Sequence, residues 1–163
     1  MKTIILFIPL ITICISHFDS NEIKRSENHF LFSKIDSTVD CSECNVEVVK
    51  KVRFSTIPEE KDILVFLSCL NKPCALNIEF SQASNYSLFL LIQNHADLVM
   101  EVLIYNMDKM DLEHIEFLLK NPVSEEIDVF KSLEGLKATN NSDSIKDQLI
   151  HALEVAALKR SGR

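Results

Sequence analysis

The stretch SNYSLFLLIQNHADLVMEVLIYNM, residues 84–107, decides the fold class, and it supports two readings. In the first, residues 86–93 (YSLFLLIQ) and 98–105 (LVMEVLIY) are two strands joined by a polar turn over residues 94–97. In the second, Leu88, Leu91, Ile92, Val99, Val102 and Leu103 recur at helical spacing and make the whole stretch one helix, which leucine favours.

The residues upstream of this stretch support the first reading. Val46, Val48, Val52, Phe54 and Thr56 alternate with Glu47, Lys51, Arg53 and Ser55, which puts apolar groups on one sheet face and charge on the other. After a turn at Pro58, Glu59, Glu60 and Lys61, residues 63–70 (ILVFLSCL) form the continuous apolar run of a central strand. Beyond Asn71, Lys72 and Pro73, the residues Leu76, Ile78 and Phe80 alternate with Asn77, Glu79 and Ser81, and residues 82–85 make a further turn. Five runs at this spacing predict an α+β fold, an antiparallel β meander or sandwich over about residues 45–106 followed by C-terminal helices. The alternative is a mostly α protein.

Downstream, helical signals dominate. Asp111 caps a helix carrying Leu112, Ile115 and Leu119, and Pro122 stops it. Ser124 caps a second with Ile127, Phe130 and Leu133, and Gly135 takes its C-terminal left-handed position. After a loop over residues 140–143, Ile145, Leu149, Leu153 and Ala156 make one stripe of a final helix over 144–159, whose basic end suits the helix dipole.

The beginning of the chain reads as an address. Lys2 precedes an apolar run over residues 3–15 (TIILFIPLITICI), about as long as the core of a secretory signal and too short to span a bilayer. Cys14 and Ser16 place cleavage before His17, with Ser20 as a weaker cleavage position. The domain reading is therefore a signal peptide at 1–16, a flexible polar arm at 17–40, one disulfide-stapled domain at 41–160 and a tail at 161–163. No later stretch is expected to span a membrane, because Asn94, His95, Asp97 and Glu101 interrupt the apolar residues 87–105. The expected location is extracellular, with no stable membrane insertion after signal cleavage.

Export gives the cysteines their meaning. Of five, Cys14 leaves with the signal, and Cys41, Cys44, Cys69 and Cys74 remain, an even set that predicts two disulfides in an oxidising compartment. Linking the Cys41/Cys44 pair to the Cys69/Cys74 pair closes the longer loops and is favoured. The rival arrangement bridges Cys69 to Cys74 across a turn and leaves Cys41 and Cys44 to each other. Zinc binding and thioredoxin-type redox chemistry are minor readings of the same residues. Exported chains oxidise such thiols, and no strand precedes Cys41. Export also makes the sequons at Asn85 and Asn140 candidate N-glycosylation sites, both in expected turns.

Composition narrows the function classes. The chain has 163 residues, a net charge of −7 and only two glycines. The acidic balance argues against nucleic acid as a partner, and one interior glycine cannot build a phosphate-cradling loop. His17, His29, His95, His114 and His151 are scattered, and the acidic groups at 59–62, 108–113 and 125–128 lack the alternating donors and glycine of a calcium loop. No nucleophile stands out, so no enzyme, cofactor or metal is expected. The expected function is that of a small secreted, disulfide-stabilised glycoprotein that binds an extracellular or cell-surface protein. The alternatives are a peptide-hormone precursor cut at Lys24 and Arg25 or at Lys159 and Arg160, and a carrier of a small apolar ligand.

Overall fold

The computed structural model describes residues 44–71, 74 and 76–162. The expected signal peptide, the arm, the Lys24 and Arg25 pair and Cys41 all lie outside the described residues. Among the described residues six α-helices follow one another: α1 (Val46–Phe54), α2 (Glu60–Ser68), α3 (Ile78–Tyr105), α4 (Leu112–Lys120), α5 (Val129–Ala138) and α6 (Ser144–Ser161). Among the described residues there is no strand. The expected β meander over 45–106 is thereby overturned, and the mostly α alternative holds.

Each misread segment has a local reason to be helical. In α1 the alternation is broken by Val49, which is buried together with Val52 three residues on. Asn45 accepts from the Glu47 amide at 2.9 Å and caps that helix, and Lys50 reaches Glu47 at 2.6 Å one turn along. That contact raises the pKa of the exposed Lys50 ammonium, first through the hydrogen bond and then through the charge of Glu47. In the continuous run, Ile63, Phe66, Leu67 and Leu70 are buried, which is helical spacing. Leu76 and Ile78 are 89% and 72% exposed while Phe80 is buried, so they share no buried sheet face. Asn77 accepts from the Phe80 amide at 3.1 Å and starts α3.

The central helix α3 is the second of the two readings of residues 84–107, and the expected turn at 94–97 survives in it as a kink. His95 alone has non-helical angles (φ −143°, ψ 38°). Helices α1, α2 and α5 pack against α3, and α6 packs on both α4 and α5. Phe66, Phe89, Leu88, Ile92, Met100 and Leu103 are fully buried between these helices.

An apolar window within α3 is long enough and poor enough in charge to cross a membrane by length and composition, contrary to expectation. Half of that window is buried inside the fold, and the helix also buries Ser84, Asn85 and Ser87. These positions make α3 the core helix around which the others pack.

Helix α5 approaches the kink closely. A Cβ built on Gly135 would lie 2.9 Å from the carbonyl oxygen of Ile92, a backbone atom that cannot yield. Gly135 therefore serves helix contact in the interior of α5 and has no positive φ, in place of the expected C-terminal cap. One turn before it, Gln93 of α3 donates to the Asp128 carbonyl at 3.0 Å and to Ser132 Oγ at 3.1 Å. Asp111, Asp128 and Asp143 cap α4, α5 and α6 through their side chains. Asp128 thus takes the place expected for Ser124, whose Oγ instead accepts from the Glu126 amide in the preceding loop.

Candidate functional site

The disulfide staple holds the start of the fold. Cys44 and Cys74 are bonded with Cα atoms 5.4 Å apart across a sequence separation of 30, tying the entry of α1 to the entry of α3. This is a link between the two expected cysteine pairs, and it leaves no Cys74 for the local bridge to Cys69. Cys69 is also disulfide-bonded and, like Cys74, is buried. Closing a loop of this length restricts the unfolded chain by about 4 kcal/mol on the loop-entropy model.

The two sequons occupy opposite environments. Asn140 is exposed in the loop between α5 and α6. Asn85 lies inside α3 and is fully buried. Its Nδ2 donates to the carbonyls of Leu118 at 2.9 Å and Asn121 at 3.3 Å, and its Oδ1 accepts from the Val123 amide at 3.2 Å. These three bonds clamp the end of α4 and the following loop onto α3. A glycan replaces one Nδ2 hydrogen and needs open space, so this environment does not fit one. Sequence reasoning missed the clamp. The sequon pattern drew attention to Asn85 as a surface residue, whereas its position on the buried stripe with Leu88 and Ile92 was the available signal.

The loop held by Asn85 forms one wall of a groove of about 380 Å³, lined by Lys120, Asn121, Pro122, Val123, Ser124 and Glu125 and, across from them, by Ala156, Lys159 and Arg160 of α6. Lys159 donates to the Lys120 carbonyl and to Asn121 Oδ1, both at 3.0 Å. The Arg160 guanidinium donates to the carbonyls of Ser124 and Ile127, and to that of Glu125 at 3.4 Å. The dibasic pair expected as a processing site is thus in the last turns of α6, latched to the α4–α5 loop. The groove was invisible in the sequence because the residues that join its walls are 33 to 39 positions apart and meet through the packing of α6 on α4 and the Lys159 and Arg160 hydrogen bonds.

The remaining candidates are dispersed. His114 is buried and stacks on Phe117 with ring centroids 6.0 Å apart, His95 sits at the kink, and His151 is exposed. His17 and His29 lie outside the described residues. The acidic groups fall mainly at helix starts, where Glu60 and Asp62 occupy the first turn of α2 and Asp62 pairs with Lys51 at 3.1 Å. Among the described residues no group of three or more His, Cys, Asp or Glu could hold a metal ion. Comparison with family models, with curated proteins and with solved structures finds no match to this chain.

Proposed function

We propose that the chain is a small secreted, disulfide-stapled glycoprotein that acts without catalysis by binding an extracellular or cell-surface protein. The Cys44–Cys74 bond carries this reading, since such a bond persists in oxidising compartments. The apolar run behind Lys2 and the exposed sequon at Asn140 support it. So does the corner after α1, where Phe54 and Ile57 are largely exposed and Arg53 lies 5.5 Å from the Phe54 ring and 4.7 Å from that of Tyr86. Aromatic and arginine side chains of this kind are enriched among the anchors of protein interfaces.

The processed-precursor alternative sits less well with this fold, because cutting after Arg160 requires unwinding a helix end held by carbonyl hydrogen bonds. An apolar-ligand carrier is disfavoured at the groove, whose lining includes three cations. Expression of the full chain in a eukaryotic secretory host tests the proposal. The expected product in the medium begins near His17, contains no free thiol and binds cell surfaces saturably until Cys44 and Cys74 are replaced by Ser. Retention in the cytosol with free thiols, or secretion as fragments cut at the basic pairs, would overturn it.

A further inference from the structure

The groove between the α4–α5 loop and the end of α6 has a charge balance opposite to that of the whole chain. Three cations, Lys120, Lys159 and Arg160, face one carboxylate, Glu125, in a protein of net charge −7. Lys120 is paired with Glu116 at 2.9 Å. Lys159 and Arg160 are instead satisfied by carbonyl and amide oxygens, which accept hydrogen bonds without neutralising charge. No carboxylate among the described residues pairs with either of them. An ammonium has three donors and a guanidinium five, so both groups keep N–H bonds to offer a ligand after making these contacts.

The groove is also held in shape before any ligand arrives. Asn85 fixes its loop wall from inside α3, and the Lys159 and Arg160 contacts fix α6 to the same loop. Preorganised donors with fixed positions lower the entropy cost of binding. Its volume is in the range of small-ligand sites, and Pro122 and Val123 give it an apolar portion beside the charges, over the buried Ala156.

We infer that this groove binds a carboxylate-bearing ligand, with the carboxylate between Lys159 and Arg160 and the adjoining hydrocarbon against Pro122 and Val123. Two positive charges beside an apolar wall fit an organic acid better than an inorganic anion, which has no hydrocarbon to bury. A free small diacid and an acidic side chain of a partner protein share this chemistry. The inference stands whether or not the chain is exported, so its failure leaves the secreted-protein proposal intact.

The test is an amide chemical-shift titration of the full chain with its disulfides intact. The probes are glutarate, the blocked tripeptide alanyl-glutamyl-alanine amide, and its glutamine counterpart. The expected result is saturable shifts at the Val123, Ser124 and Arg160 amides with Kd on the order of 1 mM or tighter, weakened by added salt and absent with the glutamine peptide. Lys159→Gln keeps a donor for the Asn121 side chain but removes the charge, and should weaken binding about tenfold. Lys120→Gln, which breaks only the pair with Glu116, should weaken it less and serves as the charge test should Lys159→Gln fail to fold. Response to glutarate alone identifies a small acid, and response to the glutamyl peptide as well identifies a partner side chain. Absence of saturable shifts at these amides, or equal shifts with the glutamine peptide and in both variants, would overturn the inference.

Discussion

Replacing Asn85 tests the central packing claim, that one buried amide clamps the end of α4 and its loop to α3. Asn85→Ala removes three hydrogen bonds, but their losses are unequal. The Leu118 carbonyl still accepts from the Asn121 amide at 3.2 Å, so it is not orphaned. The Asn121 carbonyl and the Val123 amide lose their Asn85 partner. An orphaned polar group costs about 1–3 kcal/mol when buried, and the 49% exposure of Val123 lets water recover part of that. The expected loss is about 2–4 kcal/mol, or a Tm lower by on the order of 10 °C for a domain of this size.

Asn85→Asp sharpens the test. The acid keeps the acceptor for Val123 but sets a buried carboxylate against the Leu118 and Asn121 carbonyl oxygens, which raises its pKa in the folded state. Because the folded pKa lies above the unfolded one, this variant should be most stable below the ordinary aspartate range near about pH 4 and lose stability as pH rises through the raised value. Asn85→Ala should show a penalty independent of pH. Urea unfolding without reductant, followed by circular dichroism from acid to neutral pH, reads both. A penalty for Asn85→Ala below about 0.5 kcal/mol, or a flat pH profile for Asn85→Asp, would refute the clamp.

Other consequences follow from the same contacts. Gly135→Ala gains about 1 kcal/mol of helix propensity, yet it must push α5 off the Ile92 carbonyl at a cost of about 1–3 kcal/mol. Net destabilisation in thermal unfolding is therefore expected, and an unchanged or raised Tm would contradict the close approach. Cys44→Ser with Cys74→Ser should lower stability by about 4 kcal/mol in denaturant titration. In a glycosylating host, Asn140→Gln should remove the whole glycan mass shift from the folded, secreted protein. A glycan found on Asn85 in folded protein would contradict its buried position. Limited proteolysis with a trypsin-like enzyme should cut after Arg160 slowly while α6 is latched, and faster in Arg160→Ala at its neighbour Lys159.

The helical C-terminal half was legible because its signals are local. Asp111 caps α4 where the sequence placed it, Pro122 lies just beyond that helix, and the apolar stripe from Ile145 to Ala156 has one period. The first half misled for a physical reason. Runs of four to eight apolar residues fit a buried strand and a buried helix equally well, and the valines and Phe54 of 46–54 imitate alternation once Val49 is passed over. The decisive local clues were the capping side chains Asn45 and Asn77, the second of which reads as a polar-face strand residue when residues 76–81 are taken to alternate.

Sequence by itself determined the spacing of the chain's cysteines, its acidic balance, its lack of phosphate-binding glycines and the positions of its last helices, because each depends on residue identity or on neighbours within one helical turn. Tertiary structure alone decided that residues 78–105 are one kinked helix, that Asn85 faces inward as a clamp, that Gly135 serves contact, and that Lys159 and Arg160 line a groove with Lys120. Each of these depends on which surface a residue meets after folding, and the partners that settle it lie more than thirty residues away in the chain.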